Sequence, residues 1–231
     1  MNINMRQLTN IELQEIRESI KKKVLYSAEI IMEIYDHYVS HLQNYSEDQF
    51  NEQLIKLDQK FTYSYCHSMQ SQFNKNINIG LGKTQWMVIK KYFCTSRWLY
   101  FAGILAVVLF ISTQARSEQE IKFLLFPPLA LLLSMNLALG YQWLKRILPI
   151  KKSFKGNGVT IKSSFMTPLS FRLHMPLTLT NMMIYFPKIL FDDYGSFLFI
   201  PAAAAIITVL FLFYAITLME VWKIKSKTAL V

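Results

Sequence analysis

The stretch FLLFPPLALLLSMNLALGYQWL, residues 123–144, contains no charged residue and decides the class of fold. It is bounded by Lys122 and Lys145, so 22 uncharged residues stand in a row. A helix of about 20 residues crosses a hydrocarbon core of about 30 Å. The stretch is therefore predicted to be a transmembrane helix, and the rest of the chain is interpreted from it.

Three further segments are predicted to cross the membrane, which makes the fold all-α with a four-helix transmembrane domain. Long runs without charge locate two of them. The third is the weakest, because it contains two prolines, His174 and Lys188. In chain order, the predicted spans are residues 98–115, 123–144, 173–191 and 196–219.

Charge is divided unevenly along the chain, which is 52% hydrophobic and 17% charged with a net charge of +10. Residues 1–97 hold 12 Lys/Arg and 10 Asp/Glu, whereas residues 98–231 hold 13 and 5. A typical soluble domain has about 25% charged residues. The composition argues against a soluble enzyme and a disordered chain. Two cysteines argue against a secreted disulfide scaffold.

The connecting segments predict the topology. Residues 145–172 carry seven basic residues and no acid, whereas the other two connections are short and carry Glu118, Glu120, Asp192 and Asp193. The positive-inside rule then puts both termini and the basic segment in the cytoplasm. We expect a multi-pass membrane protein. The seven basic residues are Lys145, Arg146, Lys151, Lys152, Lys155, Lys162 and Arg172.

The basic segment is also a predicted contact with anionic lipids, since each Lys or Arg near an anionic leaflet gains roughly 1 kcal/mol. Its conformation stays open between two alternatives. Gly156-Asn157-Gly158 permits a tight turn, so a small hairpin over residues 151–162 is one. A disordered basic loop is the other. The residues predicted to touch lipid are Lys145, Arg146, Lys151, Lys152 and Lys155.

The first 79 residues contain neither glycine nor proline and are predicted to form a cytoplasmic helical bundle, domain 1–79. Thr9 and Glu12 have the spacing of a capping box, Ser27 begins the second helix, and Ser46–Gln49 repeats the capping pattern before the third. Apolar rows then face the core. They are Leu13, Ile16, Ile20 and Val24; Ile30, Ile34, Tyr38 and Leu42; Phe50, Leu54, Leu57 and Phe61; and Tyr65, Met69 and Phe73.

Between bundle and membrane, residues 74–83 are predicted to be a linker because they hold five Asn and Gly residues close together. Residues 86–98 are aromatic and basic, which favours a helix at the membrane surface. The predicted organisation is therefore a bundle (1–79), a linker with a surface helix (80–97) and a transmembrane domain (98–231). Gly80-Leu81-Gly82-Lys83-Thr84 lacks the earlier glycine of a phosphate-binding loop, so no nucleotide site is expected.

Two sets of residues are candidates for chemistry. Glu33, His37 and His41 recur every four residues, a spacing that a metal could use, although histidines packing at the edge of a helix face explain it more simply. No cofactor or metal is expected. A membrane enzyme acting on lipid would have to use His174 or the pair Asp192 and Asp193.

The first three predicted helices together carry the pattern of a known kind of domain. Leu8-Thr9, Ile11, Ile16, Tyr26, the run Glu33-Ile34-Tyr35-Asp36-His37 and Phe50 resemble an N-terminal domain of uncharacterised bacterial membrane proteins, notably of the Bacteroidota, related to the HAAS or permease-prefix helical domains. The resemblance covers residues 7–75. It implies a signalling or regulatory helical domain ahead of membrane spans, with Glu33, Asp36 and His37 as its signature residues.

These patterns favour a membrane protein with a non-catalytic interaction module. The expected partners are a bilayer with anionic lipids, a protein bound through residues 7–75 and a second copy of the chain in a homodimer. Nucleic acid is not expected, because the bundle is close to neutral. The alternative is a transporter or a subunit of a transporter complex, in which proline-broken spans surround a polar path.

Overall fold

The structure, a computed structural model, describes residues 6–94, 97–115, 117–156, 158–191 and 200–229. Over these residues it is all-helical, with one 3-10 turn (Glu47–Gln49) and one isolated β-bridge. The helices are α1 (Asn10–Lys21), α2 (Ala28–Leu42), α3 (Phe50–Lys60), α4 (Tyr63–Cys94), α5 (Arg97–Gln114), α6 (Glu118–Ser153), α7 (Met166–Phe191) and α8 (Pro201–Ala229).

The chain divides into two compact units. We call Met1–Asn78 with Tyr141–Thr167 the bundle unit, and Ile79–Gly140 with Pro168–Val231 the apolar unit. Residues 141–167, which the sequence analysis assigned to the membrane domain, thus belong with the N-terminal helices. The physical reason is a set of polar contacts between the two stretches of the bundle unit, described below.

Helix starts follow the predicted capping in two of three cases. Thr9 and Glu12 form the capping box, with the Glu12 carboxylate accepting from the Thr9 amide at 2.8 Å. Ser27 caps α2 through its side chain. The predicted box at Ser46 is wrong, because Glu47–Gln49 form the 3-10 turn and the Ser46 side chain makes no capping hydrogen bond.

Part of the core of the bundle unit comes from the predicted apolar rows, whereas Val24, predicted to face the core, lies beyond the end of α1 and is 37% exposed. Every member of the α2 row is at most 1% exposed, and Ile16 and Ile20 of α1 are equally buried. Burial of such side chains stabilises the fold by about 1.5–3 kcal/mol each. Further core residues come from α3 and from the second stretch of the unit. They are Phe50, Leu57, Phe61, Phe154, Ile161 and Phe165.

Helix α4 differs from its prediction in two ways. The predicted linker over residues 74–83 is helical, since α4 continues from Tyr63 to Cys94. A glycine inside a helix costs only about 1 kcal/mol, which packing readily offsets. The buried positions are also shifted: Cys66 and Gln70 are buried, while Tyr65 is 52% exposed.

Residues 145–162 form neither of the two predicted alternatives. Helix α6 continues through the basic residues to Ser153, giving it a length of about 54 Å. Gly156 and Gly158, at φ 103° and 71°, then turn the chain, and Lys162 pairs with Ser27 in the β-bridge. Asn157 lies outside the described residues. No hairpin over residues 151–162 is present in the part that the structure describes.

Three of the described helices are long and apolar enough to cross a membrane: Arg97–Gln114, Gln119–Ser153 and Pro201–Ser226. They correspond to the predicted spans 98–115, 123–144 and 196–219. Helix α7, which contains the predicted span 173–191, is not among them. Membrane association is thus supported by three of the described helices.

Candidate functional site

The signature residues lie together on α2. Glu33, Asp36 and His37 are all exposed, and their spacing of three and four residues places them on one side of the helix. The His37 ring packs against Phe61 at 5.0 Å between ring centroids. Neither carboxylate makes a hydrogen bond or ion pair with another described residue. The structure therefore presents two free carboxylates beside a histidine anchored to the end of α3.

His37 is held towards its neutral form. Partial burial lowers its pKa, and the nearby positive charge of Lys60 and the ring of His41 lower it further. Within the described ranges, no group of three His, Cys, Asp or Glu side chains could hold a metal ion. Packing on Phe61 is thus the contact that the structure gives for this histidine.

A second feature, absent from the sequence analysis, is a junction formed by Ser27, Glu29, Ser163 and Ser164. The Glu29 carboxylate accepts hydrogen bonds from the Ser164 amide at 2.9 Å and from the hydroxyls of Ser163 and Ser27. Ser163 in turn accepts from the Met166 amide at 2.9 Å and so begins α7. A carboxylate at a helix N-terminus is stabilised by the helix dipole. We call these contacts the Glu29 junction.

Backbone hydrogen bonds reinforce the Glu29 junction. The Lys162 amide donates to the Tyr26 carbonyl at 2.7 Å, and the Ala28 amide donates to the Lys162 carbonyl at 3.0 Å. On the opposite side, the Gln70 side chain accepts from the amides of Tyr26 and Ser27. The first turn of α2 is therefore fixed between α4 and residues 162–165. No pattern in the sequence pairs these stretches, because 134 residues separate Glu29 from Ser163.

An ionic cluster around Asp58, a partly exposed residue, joins the three N-terminal helices. Asp58 of α3 accepts from Lys23 at 2.8 Å, from the Tyr38 hydroxyl at 2.9 Å and from the Ser19 hydroxyl. The Lys23 side chain is only 8% exposed. Burial alone would raise the pKa of Asp58. The hydrogen bonds from Lys23 and Ser19 outweigh this effect and hold that pKa below its usual value. Burial beside this carboxylate raises the pKa of Tyr38.

The five residues predicted to contact lipid share one property in the structure: all are exposed. None of them pairs with a described carboxylate. Four lie in the last turns of α6 and one in the turn that follows, all in the bundle unit. We call them the basic surface: Lys145, Arg146, Lys151, Lys152 and Lys155. The described structure thus leaves their charges available to an anionic partner.

In the apolar unit, contacts between side chains show the relative direction of α5 and α8 and where α7 meets α8. Arg97 at the start of α5 pairs with Glu220 of α8 at 3.4 Å, and Phe101 meets Phe213 at 5.2 Å between ring centroids. The residue that comes later in α5 contacts the residue that comes earlier in α8, so the two helices are antiparallel. At the start of α7, the Arg172 carbonyl accepts from the Tyr214 hydroxyl at 3.0 Å.

Of the residues considered for lipid chemistry, His174 lies in the part of the chain that the structure describes. His174 lies exposed on α7, where its Nδ1 atom is 2.7 Å from the Ser170 carbonyl oxygen. Asp192 and Asp193 lie outside the described residues. The His174 side chain thus has a hydrogen-bond partner within its own helix. A site that combines His174 with Asp192 and Asp193 stays a hypothesis.

Comparison of the chain with protein-family models, with curated proteins and with solved structures gives no match.

Proposed function

We propose that the chain is a multi-pass protein of the bacterial inner membrane whose bundle unit faces the cytoplasm and acts as a non-catalytic interaction or regulatory module. The observation that carries the proposal is the Glu29 junction. It joins the N-terminal helices to residues 161–166, which follow two helices apolar enough to cross a membrane. The expected relation to the HAAS or permease-prefix domains remains part of the proposal.

The junction supports a pair of spans between the two stretches of the bundle unit. Residues on one compact unit must lie on the same side of a bilayer. The chain between residues 78 and 141 therefore crosses an even number of times. It contains α5 and the apolar part of α6, which fit one crossing each. This supports two spans joined by the short connection around residues 115–118.

The direction of α8 supports a further pair of spans. Helix α8 runs towards the side of Arg97, because it is antiparallel to α5. Arg172 contacts α8 at Tyr214, about 20 Å along the helix from Pro201. The chain must cover that distance between residues 172 and 201 to begin α8. A crossing by α7 accounts for it, which makes four spans in all.

Charge supports the cytoplasmic orientation. The second stretch of the bundle unit, residues 141–167, holds six Lys/Arg and no acid. Exposed basic residues beside a membrane helix favour the cytoplasmic side. Both termini and the bundle unit are then cytoplasmic, as the sequence analysis expects.

Reporter fusions test this topology. We expect a cytoplasmic signal for a reporter inserted near Asn157, and extracytoplasmic signals for reporters near Gln119 and Gly195. The reason is the even number of crossings between the two stretches of the bundle unit. An extracytoplasmic signal near Asn157 would contradict both the orientation and the pairing of α5 with α6.

The exposed carboxylates of α2 support the interaction role. Glu33 and Asp36 are free of partners within the described structure, although they stand beside the anchored His37. Charged groups left unpaired on a rigid helix are available to a protein partner. The transporter alternative loses a supporting argument, because α6 continues without a break through Pro127 and Pro128.

Site-specific cross-linking tests the interaction role. With a photoreactive amino acid in place of Asp36 in the full chain, we expect one discrete cross-linked protein in intact membranes. The same group in place of Gln59, an exposed residue of α3, is the control and should give none. A product of twice the mass of the chain would identify a second copy as the partner. Equal labelling from both positions would count against a binding surface on α2.

A further inference from the structure

A cavity of about 230 Å³ opens in the bundle unit between α1, α2 and the last turns of α6. Its wall is largely apolar, and Arg17 is the charged residue in it. Tyr35 and Phe154 meet edge to face at its base, with ring centroids 6.0 Å apart. Met32, Pro149, Ile150 and Ser153 complete the lining. We call this space the Arg17 cavity.

Arg17 is positioned before any ligand arrives. Its guanidinium carbon lies 5.7 Å from the centroid of the Tyr35 ring, within the range of a cation–π contact. Among the described residues, Arg17 donates one hydrogen bond, and it is long, 3.4 Å to the Gln14 side chain. Since a guanidinium has five N–H donors in a flat fork, several remain for another acceptor. That fork matches the oxygens of a phosphate in a bidentate manner.

The surroundings of the Arg17 cavity are basic. Lys151 and Lys152 stand in the chain between the lining residues Ile150 and Ser153, and Lys155 follows Phe154. All three lysines are exposed and make no ion pair with a described carboxylate. The cavity therefore complements a ligand that has both an apolar portion and a negative charge.

The place of the cavity along α6 favours a lipid. Lys145 is the first charged residue of α6 after Lys122, so it marks where the helix leaves the hydrocarbon. Ile150 follows about 8 Å further along the axis. Each headgroup layer is about 5–8 Å thick. The volume is also below the roughly 300–1,000 Å³ of pockets that enclose a whole drug-sized ligand, which suits a headgroup.

We propose that the Arg17 cavity binds the phosphate headgroup of an anionic phospholipid. Arg17 donates paired hydrogen bonds to the phosphate oxygens, and the glycerol backbone packs on Tyr35 and Ile150. Lys151, Lys152 and Lys155 attract the charge without fixed geometry. The inference rests on the proposed function, because it requires α6 to leave a membrane near Lys145.

Native mass spectrometry of the full chain in detergent tests the site. Phosphatidylglycerol and phosphatidylcholine with identical acyl chains are the probes. We expect the chain to retain phosphatidylglycerol preferentially, and Arg17→Gln to weaken that binding at least about tenfold, since it removes charge-assisted hydrogen bonds. Lys22→Gln removes the same charge from an exposed position at the end of α1 and should change binding less than about twofold.

A second variant and two competitors keep the outcomes distinct. Ser153→Phe fills the cavity from an exposed position and should also abolish the preference, while circular dichroism checks that both variants fold. Unchanged binding by Arg17→Gln overturns the proposal. Displacement of the lipid by equal concentrations of glycerol 1-phosphate or of polyglutamate also overturns it, in favour of a soluble phosphate or an acidic partner. The topology and cross-linking tests do not depend on Arg17. A failure of the proposed function can therefore be told apart from a failure of the lipid site.

Discussion

Replacing Glu29 with alanine is expected to lower the free energy of local opening around the first turn of α2 by about 3 kcal/mol. The carboxylate accepts from two hydroxyls and from the Ser164 amide. Hydrogen bonds to a charged group contribute about 1.5–3 kcal/mol each, and they are not additive. The variant leaves the amides of Ser164 and Phe165, just before α7, without this acceptor. Hydrogen exchange at the amides of Ala28 and Ser164 measures the effect.

The matched control is Glu33→Ala, one turn further along α2. Glu33 is exposed and makes no polar contact with the described residues, so we expect a change within about 0.5 kcal/mol. Glu29→Gln retains an acceptor oxygen but loses the charge, and its effect should be intermediate. Equal exchange rates in Glu29→Ala and Glu33→Ala would contradict the structural role of the Glu29 junction.

Replacing Asp58 with alanine is expected to cost about 2–3 kcal/mol of stability in the N-terminal helices. The variant leaves the Lys23 ammonium buried without its anion and removes the acceptor of Tyr38. Breaking a buried pair costs about 3–5 kcal/mol. The Asp58 side chain is 37% exposed, which lowers this value through solvent screening. Thermal unfolding in detergent, followed by circular dichroism, measures the loss.

Helix α3 supplies its own control. Glu52 pairs with Lys56 at the surface, and both side chains are more than half exposed, so Glu52→Ala should cost less than about 1 kcal/mol. The pH dependence gives an independent readout. Because the pKa of Asp58 is lower in the folded state, its contribution is present above about pH 4 and is lost as acid protonates it. Between pH 5 and pH 3, the wild-type chain should therefore lose more stability than Asp58→Ala does. An equal loss in the two proteins would contradict this role.

Local signals were sufficient to predict two features of the N-terminal helices. The capping box at Thr9 and the buried row of α2 both follow from spacings within a single helix, and both are confirmed. The three apolar helices follow from charge-free runs, which need no knowledge of packing. These features depend on residues that are close in the chain, so the sequence alone is sufficient to predict them.

Contacts between distant residues were not predictable in the same way. The linker prediction failed because the glycines of α4 were read as a bend, although one glycine in a helix costs only about 1 kcal/mol. The role of Glu29 could not be predicted, since its partners Ser163 and Ser164 lie more than 130 residues away. The Arg17 cavity likewise combines α1 and α2 with the end of α6, which the sequence analysis placed elsewhere.

The Glu29 junction also determines when the N-terminal helices can finish folding during synthesis. Helices α1 to α3 leave the ribosome early, but the first turn of α2 receives its hydrogen bonds only when Ser163 and Ser164 have been synthesised. Domains generally form in step with synthesis, at about 5–20 residues per second. The N-terminal bundle therefore waits several seconds for its last contacts, while α5 and α6 are being made. In the topology that we propose, completion of the bundle also requires that the chain between its two stretches has returned to the side of the membrane from which it started.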